Sequence, residues 1–320
     1  MQVTAGIDIG GTGTKLGIVD EAGNIVANRE FDTWNFSGFE EYVSELARLV
    51  NVMLNGIENG PELDGIGIGS PMGKYVDGTI DHASNLPWKG VLPLADLLKK
   101  SFNVPIVVTN DANTAALGEK VYGGAKELND FVTVTLGTGL GSGFISNGQL
   151  VLGFQGFAGE LGHVNVGRLE GRTCGCGKKE CLETYVSATG IKRTIFSLLA
   201  KRHFDSVFRH VSFDDFSTKD ITIAADKGDK IALAAFEFTG KILGRKLAEV
   251  VMLFNPEAIF LAGGLSLAGD YIIKPTRKYM EKDILEVYRN KVQFKSSELG
   301  SEGASILGAA SLIKGKLGFN

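Results

Sequence analysis

The stretch DIGGTGTK, residues 8–15, lies between two apolar runs that read as β-strands. Upstream, Val3, Ala5, Ile7 and Ile9 alternate with small residues, the period-2 pattern of a half-buried strand. Downstream, Leu16 and Ile18 lead to the turn DEAGN, and Ile25 and Val26 begin a third strand. Gly10 and Gly11 let the backbone come close to phosphate oxygens. Turn N–H groups, with the hydroxyls of Thr12 and Thr14, can cradle an anion. Lys15 adds a positive charge, and Asp8 can hold a magnesium ion through a water. The arrangement recurs: FVTVTL at 131–136 runs into Gly137-Thr138-Gly139-Leu140-Gly141-Ser142-Gly143, and the chain then returns as a hairpin around Asn147-Gly148. Either loop alone reads equally well as a tight glycine-rich turn. Two of them, each behind a β-run, point to phosphate held from both sides. Neither fits G-x-x-x-x-G-K-[ST] or G-x-G-x-x-G, which excludes a P-loop and a dinucleotide fingerprint.

Outward from these loops, Phe39, Val43, Leu46, Val50 and Leu54 recur at helical spacing and predict a helix over 39–55. Ile66 and Ile68 predict a short strand before GSPMG, followed by a helix near 92–102 and a buried strand over 104–110. Long helices are expected over 187–202 and 231–253, a buried strand over 258–263 ending in Gly263-Gly264, and a small-residue helix over 303–317. The repeated strand–glycine turn–strand unit predicts two similar α/β lobes with a cleft between them. With the last helix returning to the first lobe, the expected division is 1–112 plus 298–320 for a smaller lobe and 113–297 for a larger one.

A chain of 320 residues is long enough for two cores. Its 44% apolar and 22% charged residues are ordinary for a soluble globular protein. The net charge of -4 supplies no electrostatic footprint for nucleic acid or an anionic membrane. There is no basic n-region, and no apolar run approaches the ~18 residues of a membrane span. A cytoplasmic location is expected.

Asn110-Asp111 follows VPIVVT, so a carboxylate stands at the C-terminal end of a buried strand. Phosphoryl transfer to a hydroxyl needs positioning, charge stabilisation and one carboxylate to take the hydroxyl proton. Asp111 suits that role; equally, Asp111 or Asn110 suits the N-cap of the Ala-rich helix that follows. Glu160 and His163 in GELGH, with Glu183, offer the carboxylates and imidazole that polyol recognition uses, each a weak signal alone. The only cysteines, Cys174, Cys176 and Cys181, have metal-site rather than disulfide spacing. Three thiolates leave one tetrahedral position, and His163, eleven residues upstream of Cys174, completes a closed structural zinc site. Ligation of one imidazole nitrogen would fix the other as a sugar-facing N–H. The competing reading is three reduced thiols.

The chain resembles the ROK family (repressors, open reading frames, kinases) of the actin-like ATPase superfamily. The resemblance is carried in order by DIGGTGTK at 8–15, NDAN at 110–113, LGTGLGSG at 136–143, GELGH at 159–163, CGCGKKECLET at 174–184 and AGGLS at 262–266. It implies a two-lobed actin-like (ribonuclease H-like) fold and ATP-dependent phosphorylation of a hexose 6-hydroxyl, with Mg2+ and a structural Zn2+. Asp111 takes the family's base position. Asn110, Glu160, His163 and Glu183 fall on its sugar contacts, and Gly73 and Asn85 fall on loops that close over the sugar. His163, Cys174, Cys176 and Cys181 fall on its zinc ligands, and Gly263 and Gly264 on an adenosine-side glycine run. Homodimers or homotetramers are common in the family. Two departures stand out: Glu180 occupies a position that is usually glycine, and Ala262 is the first residue of what is usually a G-G-G run. Glucose is the expected sugar, with N-acetylmannosamine, N-acetylglucosamine or fructose as alternatives. The rival class is a sugar-sensing transcriptional regulator, against which the position of DIGGT at the chain's start and the acidic balance both weigh.

Overall fold

The computed structural model describes residues 1–58, 60–167, 171–299 and 303–314. In chain order these form β1 (Gln2–Ile9), β2 (Gly13–Asp20), β3 (Ile25–Asp32), α1 (Phe39–Asn55), β4 (Glu62–Gly69), β5 (Gly73–Lys74), β6 (Thr79–Asp81) and β7 (Val91–Leu92). There follow α2 (Leu94–Leu98), β8 (Ile106–Thr109), α3 (Asp111–Val121), β9 (Phe131–Leu136), β10 (Leu140–Ser146) and β11 (Gln149–Leu150). The remainder is α4 (Ala188–Lys201), α5 (Thr218–Asp226), α6 (Lys230–Phe254), β12 (Ala258–Ala262), α7 (Asp270–Asp283), β13 (Gln293–Ser296) and α8 (Ala304–Lys314). None of the helices among the described residues is long and apolar enough to cross a membrane.

Two compact units emerge: Met1–Asn129 with Gly143–Gly159 and Ser297–Asn320, and Asp130–Ser142 with Glu160–Ser296. The boundary therefore passes through β10, and α3 lies with the first unit, beyond the 112/113 division drawn from the sequence. Helix α3 belongs there because it packs against α8 through glycines. A Cβ on Gly118 would stand 3.0 Å from Gly308 Cα, and one on Gly308 would stand 2.7 Å from the Thr114 carbonyl oxygen.

The first sheet has the order β3-β2-β1-β4-β8. β1–β2 and β2–β3 are antiparallel, whereas β1–β4 and β4–β8 are parallel. The segment ELDGIGIG of β4 shows how sequence sorts the two faces of this sheet. Side chains alternate along a strand. Ile66 and Ile68 accordingly enter the core shared with Tyr42, Leu46 and Val50 of α1. Gly65 and Gly67 face α8, where a Cβ on Gly67 would stand 1.9 Å from the Ala309 carbonyl oxygen. Helix α1 spans the predicted residues, but the helix expected near 92–102 is only the five residues of α2. The small sheet β5-β6-β7 was not expected, since strands of two or three residues carry no readable periodicity. The predicted last helix is present as α8 up to Lys314; its remaining residues, 315–317, lie outside the described residues.

The second sheet runs β11-β10-β9-β12-β13, with β9, β12 and β13 mutually parallel and β10–β11 antiparallel. Its order repeats that of the first sheet position for position. Asn147 and Gly148 both have positive φ (50° and 74°), as the β10–β11 turn requires. Helices α4 and α6 match the expected long helices to within one residue at each end. Helix α7 is an addition that a sequence with Pro275 in its middle does not announce.

Candidate active site

In the first unit the turn Gly10-Gly11-Thr12 joins β1 to β2, closed by the Gly10 N–H donating to the Gly13 carbonyl at 3.0 Å. Asp8 is the last residue but one of β1, directly opposite Lys15 in the β1–β2 register. Burial raises the Asp8 carboxyl above its ordinary value, against the opposing pull of the Ser305 hydroxyl and Lys15. A cation next to this carboxyl would favour its ionised form, so the position fits the expected magnesium role. Ser305 arrives from α8, near the far end of the chain, and no local sequence signal announces it.

Thr14 departs from expectation. Its side chain is fully buried and its hydroxyl bonds Thr33 Oγ1 at 2.9 Å and Tyr42 Oη at 2.8 Å. It therefore does not line an anion cradle from the hairpin. The strand period explains this: Lys15 is exposed, so its neighbour Thr14 points inward. Asn85 lies close by, since a Cβ on Gly11 would stand 3.0 Å from its carbonyl oxygen and 3.4 Å from its Nδ2.

At the end of β8, Asn110 caps α3, its side chain accepting the Ala112 N–H at 2.9 Å. The cap is therefore Asn110, and Asp111 is the first helical residue. Asp111 Oδ1 also accepts the Ala112 N–H, at 2.8 Å. The loop after β4 is stitched to the same strand end: Ser70 N–H donates to the Thr109 carbonyl at 3.0 Å, and a Cβ on Gly73 would stand 2.3 Å from that oxygen. Gly73 thus permits the loop to close onto the residues preceding Asp111.

In the second unit the turn Gly137-Thr138-Gly139 joins β9 to β10, and the Glu183 carboxylate lies over it: a Cβ on Gly139 would stand 2.6 Å from Glu183 Oε2. Gly263, with φ of 86°, abuts the strand end leading into this turn. A Cβ there would stand 2.7 Å from the Leu136 carbonyl, and Gly264 follows in more open space. The expected adenosine-side glycines are thus held beside the strand end that leads into the Gly137–Gly139 turn.

The GELGH and cysteine segments are brought together by a short antiparallel contact. Val166 N–H donates to the Glu180 carbonyl at 3.0 Å, and Leu182 N–H donates to the Val164 carbonyl at 3.0 Å. Cys181 is thereby drawn up to the segment that follows His163. Ligand atoms of His163, Cys174, Cys176 and Cys181 all lie within 4.8 Å of one another. His163 Nδ1 is 3.7 Å from Cys174 Sγ, and Cys176 Sγ is 3.6 Å from Cys181 Sγ. Thiolates at tetrahedral corners 2.3 Å from a zinc ion would stand roughly 3.8 Å apart. The donor set fits. Burial pushes the Cys174 and Cys181 thiols up. It pushes Cys176 up too, but the Lys178 N–H and the contacts with the two neighbouring sulfurs hold it below the usual thiol value. Three sulfurs and one imidazole nitrogen this close together are the arrangement a cation would complete.

On the other side of the imidazole, His163 Nε2 is 3.9 Å from Glu160 Oε2, while Nδ1, on the thiol side, is also 3.8 Å from Glu183 Oε1. The Cys174 thiol donates to Glu183 Oε1 at 2.8 Å. Burial raises the Glu160 carboxyl; His163 opposes that rise and Glu183 adds to it. The three polar groups singled out as weak signals thus form one cluster. Glu180 shows why its position favours glycine: its φ is 68°, in the left-handed region. Its buried carboxylate accepts from Tyr185 Oη at 2.5 Å, and Tyr185 carries the Arg172 guanidinium over its ring at 4.4 Å.

The sequence matches the model of the ROK family over residues 4–316. It is 36% identical over 314 residues to a glucokinase of Halalkalibacterium halodurans, covering 97% of this chain and 94% of that one. A glucokinase of Thermotoga maritima is 35% identical over 316 residues, with 98% of each chain covered. Among solved structures, a ROK family glucokinase from Streptomyces griseus, in complex with glucose and AMPPNP, superposes with a TM-score of 0.79 at 32% identity, over 97% of this chain and 98% of that one. The chain belongs to the ROK family and has the two-lobed actin-like ATPase fold of its sugar kinases.

Proposed function

We propose that this protein transfers the γ-phosphoryl group of ATP to the 6-hydroxyl of glucose. The observation that carries the reading is the cluster of Glu160, His163 and Glu183, in which each carboxylate lies within 4 Å of the imidazole on a thiol-braced scaffold. Carboxylates that accept from neighbouring hydroxyls and an imidazole with a fixed N–H suit an unmodified hexose. Asp111, at a helix N-terminus beside the Ser70–Gly73 loop, takes the proton of the attacking hydroxyl. The amides of the two glycine turns hold the phosphates, and Lys15 adds charge next to the first turn. A magnesium ion near Asp8 would neutralise charge on the transferring group. A zinc ion held by His163, Cys174, Cys176 and Cys181 would be structural, leaving no open ligand position for substrate. Three reduced cysteines and an ATP requirement suit the cytoplasm, and a homodimer or homotetramer is the expected assembly.

The testing experiment is a coupled assay of ADP release with MgATP and a panel of glucose, fructose, N-acetylglucosamine and N-acetylmannosamine. Glucose is expected to give the highest kcat/KM. A higher value with an N-acetylated sugar would move the substrate, and sugar binding without turnover on any of them would favour a sensor.

A further inference from the structure

A turn binds an anion only when its carbonyl oxygens face away and its N–H groups face the ligand. In the first glycine hairpin three consecutive carbonyls are tied down by two adjacent residues. Thr33 Oγ1 donates to the Gly10 carbonyl at 2.9 Å, Trp34 Nε1 donates to the Gly11 carbonyl, and Thr33 N–H donates to the Thr12 carbonyl at 3.2 Å. Both residues sit in one 3-10 turn, Thr33–Asn35, whose N-cap Asp32 accepts the Trp34 N–H at 2.8 Å.

Behind Thr33 runs a chain of hydroxyls. A carbonyl can only accept, so Thr33 spends its single proton on Gly10 and must accept from Thr14. Thr14 then accepts from Tyr42, whose fully buried phenol burial keeps protonated. The order is Tyr42 Oη–H to Thr14 Oγ1–H to Thr33 Oγ1–H to Gly10 carbonyl, each bond polarising the next. The Tyr42 ring in turn packs on Trp88, at 4.6 Å between centroids, in the same segment as Asn85. Trp34 is 58% exposed, so its indole N–H on the Gly11 carbonyl is a contact made from the surface rather than one imposed by core packing.

We propose that Thr33 and Trp34 are positioning residues for the nucleotide: they hold the Gly10, Gly11 and Thr12 carbonyls back so that the turn's amides face the phosphates. This rests on the reading of residues 8–15 as a phosphate hairpin. The test uses the full-length protein and compares Trp34→Phe, which keeps a ring but removes the N–H, with Thr33→Val, which removes the hydroxyl at nearly constant shape. Steady-state kinetics and calorimetry with AMPPNP are read alongside glucose binding and Tm. Trp34→Phe is expected to raise KM for MgATP and Kd for AMPPNP about 3- to 10-fold, the worth of one hydrogen bond, with glucose Kd and Tm unchanged. Thr33→Val is expected to do the same more strongly and to lower Tm, because Thr14 loses its acceptor. Unchanged nucleotide affinity in Trp34→Phe, with a wild type that binds AMPPNP, would overturn the positioning role alone. A wild type that binds no AMPPNP would instead overturn the phosphate-hairpin reading.

Discussion

Nδ1 of His163 lies 3.7 Å from Sγ of Cys174, while Nε2 of the same ring lies 3.9 Å from Oε2 of Glu160. One imidazole therefore turns one nitrogen to the thiols and the other to the Glu160 carboxylate. With Nδ1 committed to a metal, Nε2 carries the proton and becomes a fixed donor. Glu183 strengthens the link, since its Oε1 accepts from Cys174 and its Oε2 lies over Gly139 of the β9–β10 turn. The Cys/His cluster, the Glu160–His163–Glu183 cluster and the Gly137–Gly139 turn of the second unit share these two side chains.

Metal removal should therefore weaken sugar binding. Elemental analysis is expected to find about one zinc per chain. Stripping it with a chelator, or removing the exposed ligand by Cys176→Ser, is expected to weaken glucose binding by ~10- to 100-fold in calorimetry, the usual scale for such supporting interactions. Metal-free protein that binds glucose normally would sever the two functions.

Glu180 and Gly171 should behave as a coupled pair. A Cβ on Gly171 would stand only 0.7 Å from Glu180 Oε1, so the two side chains cannot coexist there. Gly171→Ala is expected to cost about 1–3 kcal/mol through overpacking. Glu180→Gly in the same chain should recover most of that loss, because it empties the space and also removes the left-handed strain of a non-glycine residue. Thermal unfolding of the four variants decides, and strictly additive losses would contradict the packing.

Asp8 should trade stability for function. Burial lifts its carboxyl above 3.8, so the folded state binds that proton more tightly than the unfolded chain does. Ionisation thus costs stability as pH rises from the ordinary carboxylate range through the raised value. Asp8→Asn is expected to raise Tm by a few degrees at neutral pH, the gap closing near about pH 4, while magnesium-dependent turnover falls. A lower Tm at neutral pH would show that the Lys15 attraction outweighs burial.

Local periodicity and turn chemistry made much of this fold legible. The alternation before Gly10 and before Gly137 marked both hairpin sheets, and Asn147-Gly148 marked its turn to the residue. The Cys/His cluster was legible because its thiols are close in sequence. What was hidden depended on distant partners. Thr14 read as a phosphate ligand from its neighbours, but its inward face is set by Thr33 and Tyr42. Ser305 reaches Asp8 from the other end of the chain, and Thr33 and Trp34 lie in a stretch with no motif at all. The choice between Asn110 and Asp111 as cap was undecidable from spacing, because both residues suit a helix N-terminus and only backbone geometry separates them.

The most direct test of the account is Asp111→Asn, with kcat from the coupled glucose–MgATP assay and glucose Kd from calorimetry on the same preparation. With Asn110 still capping α3, the variant keeps its fold and its sugar-binding groups but loses the proton acceptor. The expected result is a kcat lower by ~10²- to 10⁴-fold, the usual contribution of a general base, with glucose Kd within a few-fold of wild type. Near-normal turnover would contradict the assignment of Asp111 as the base.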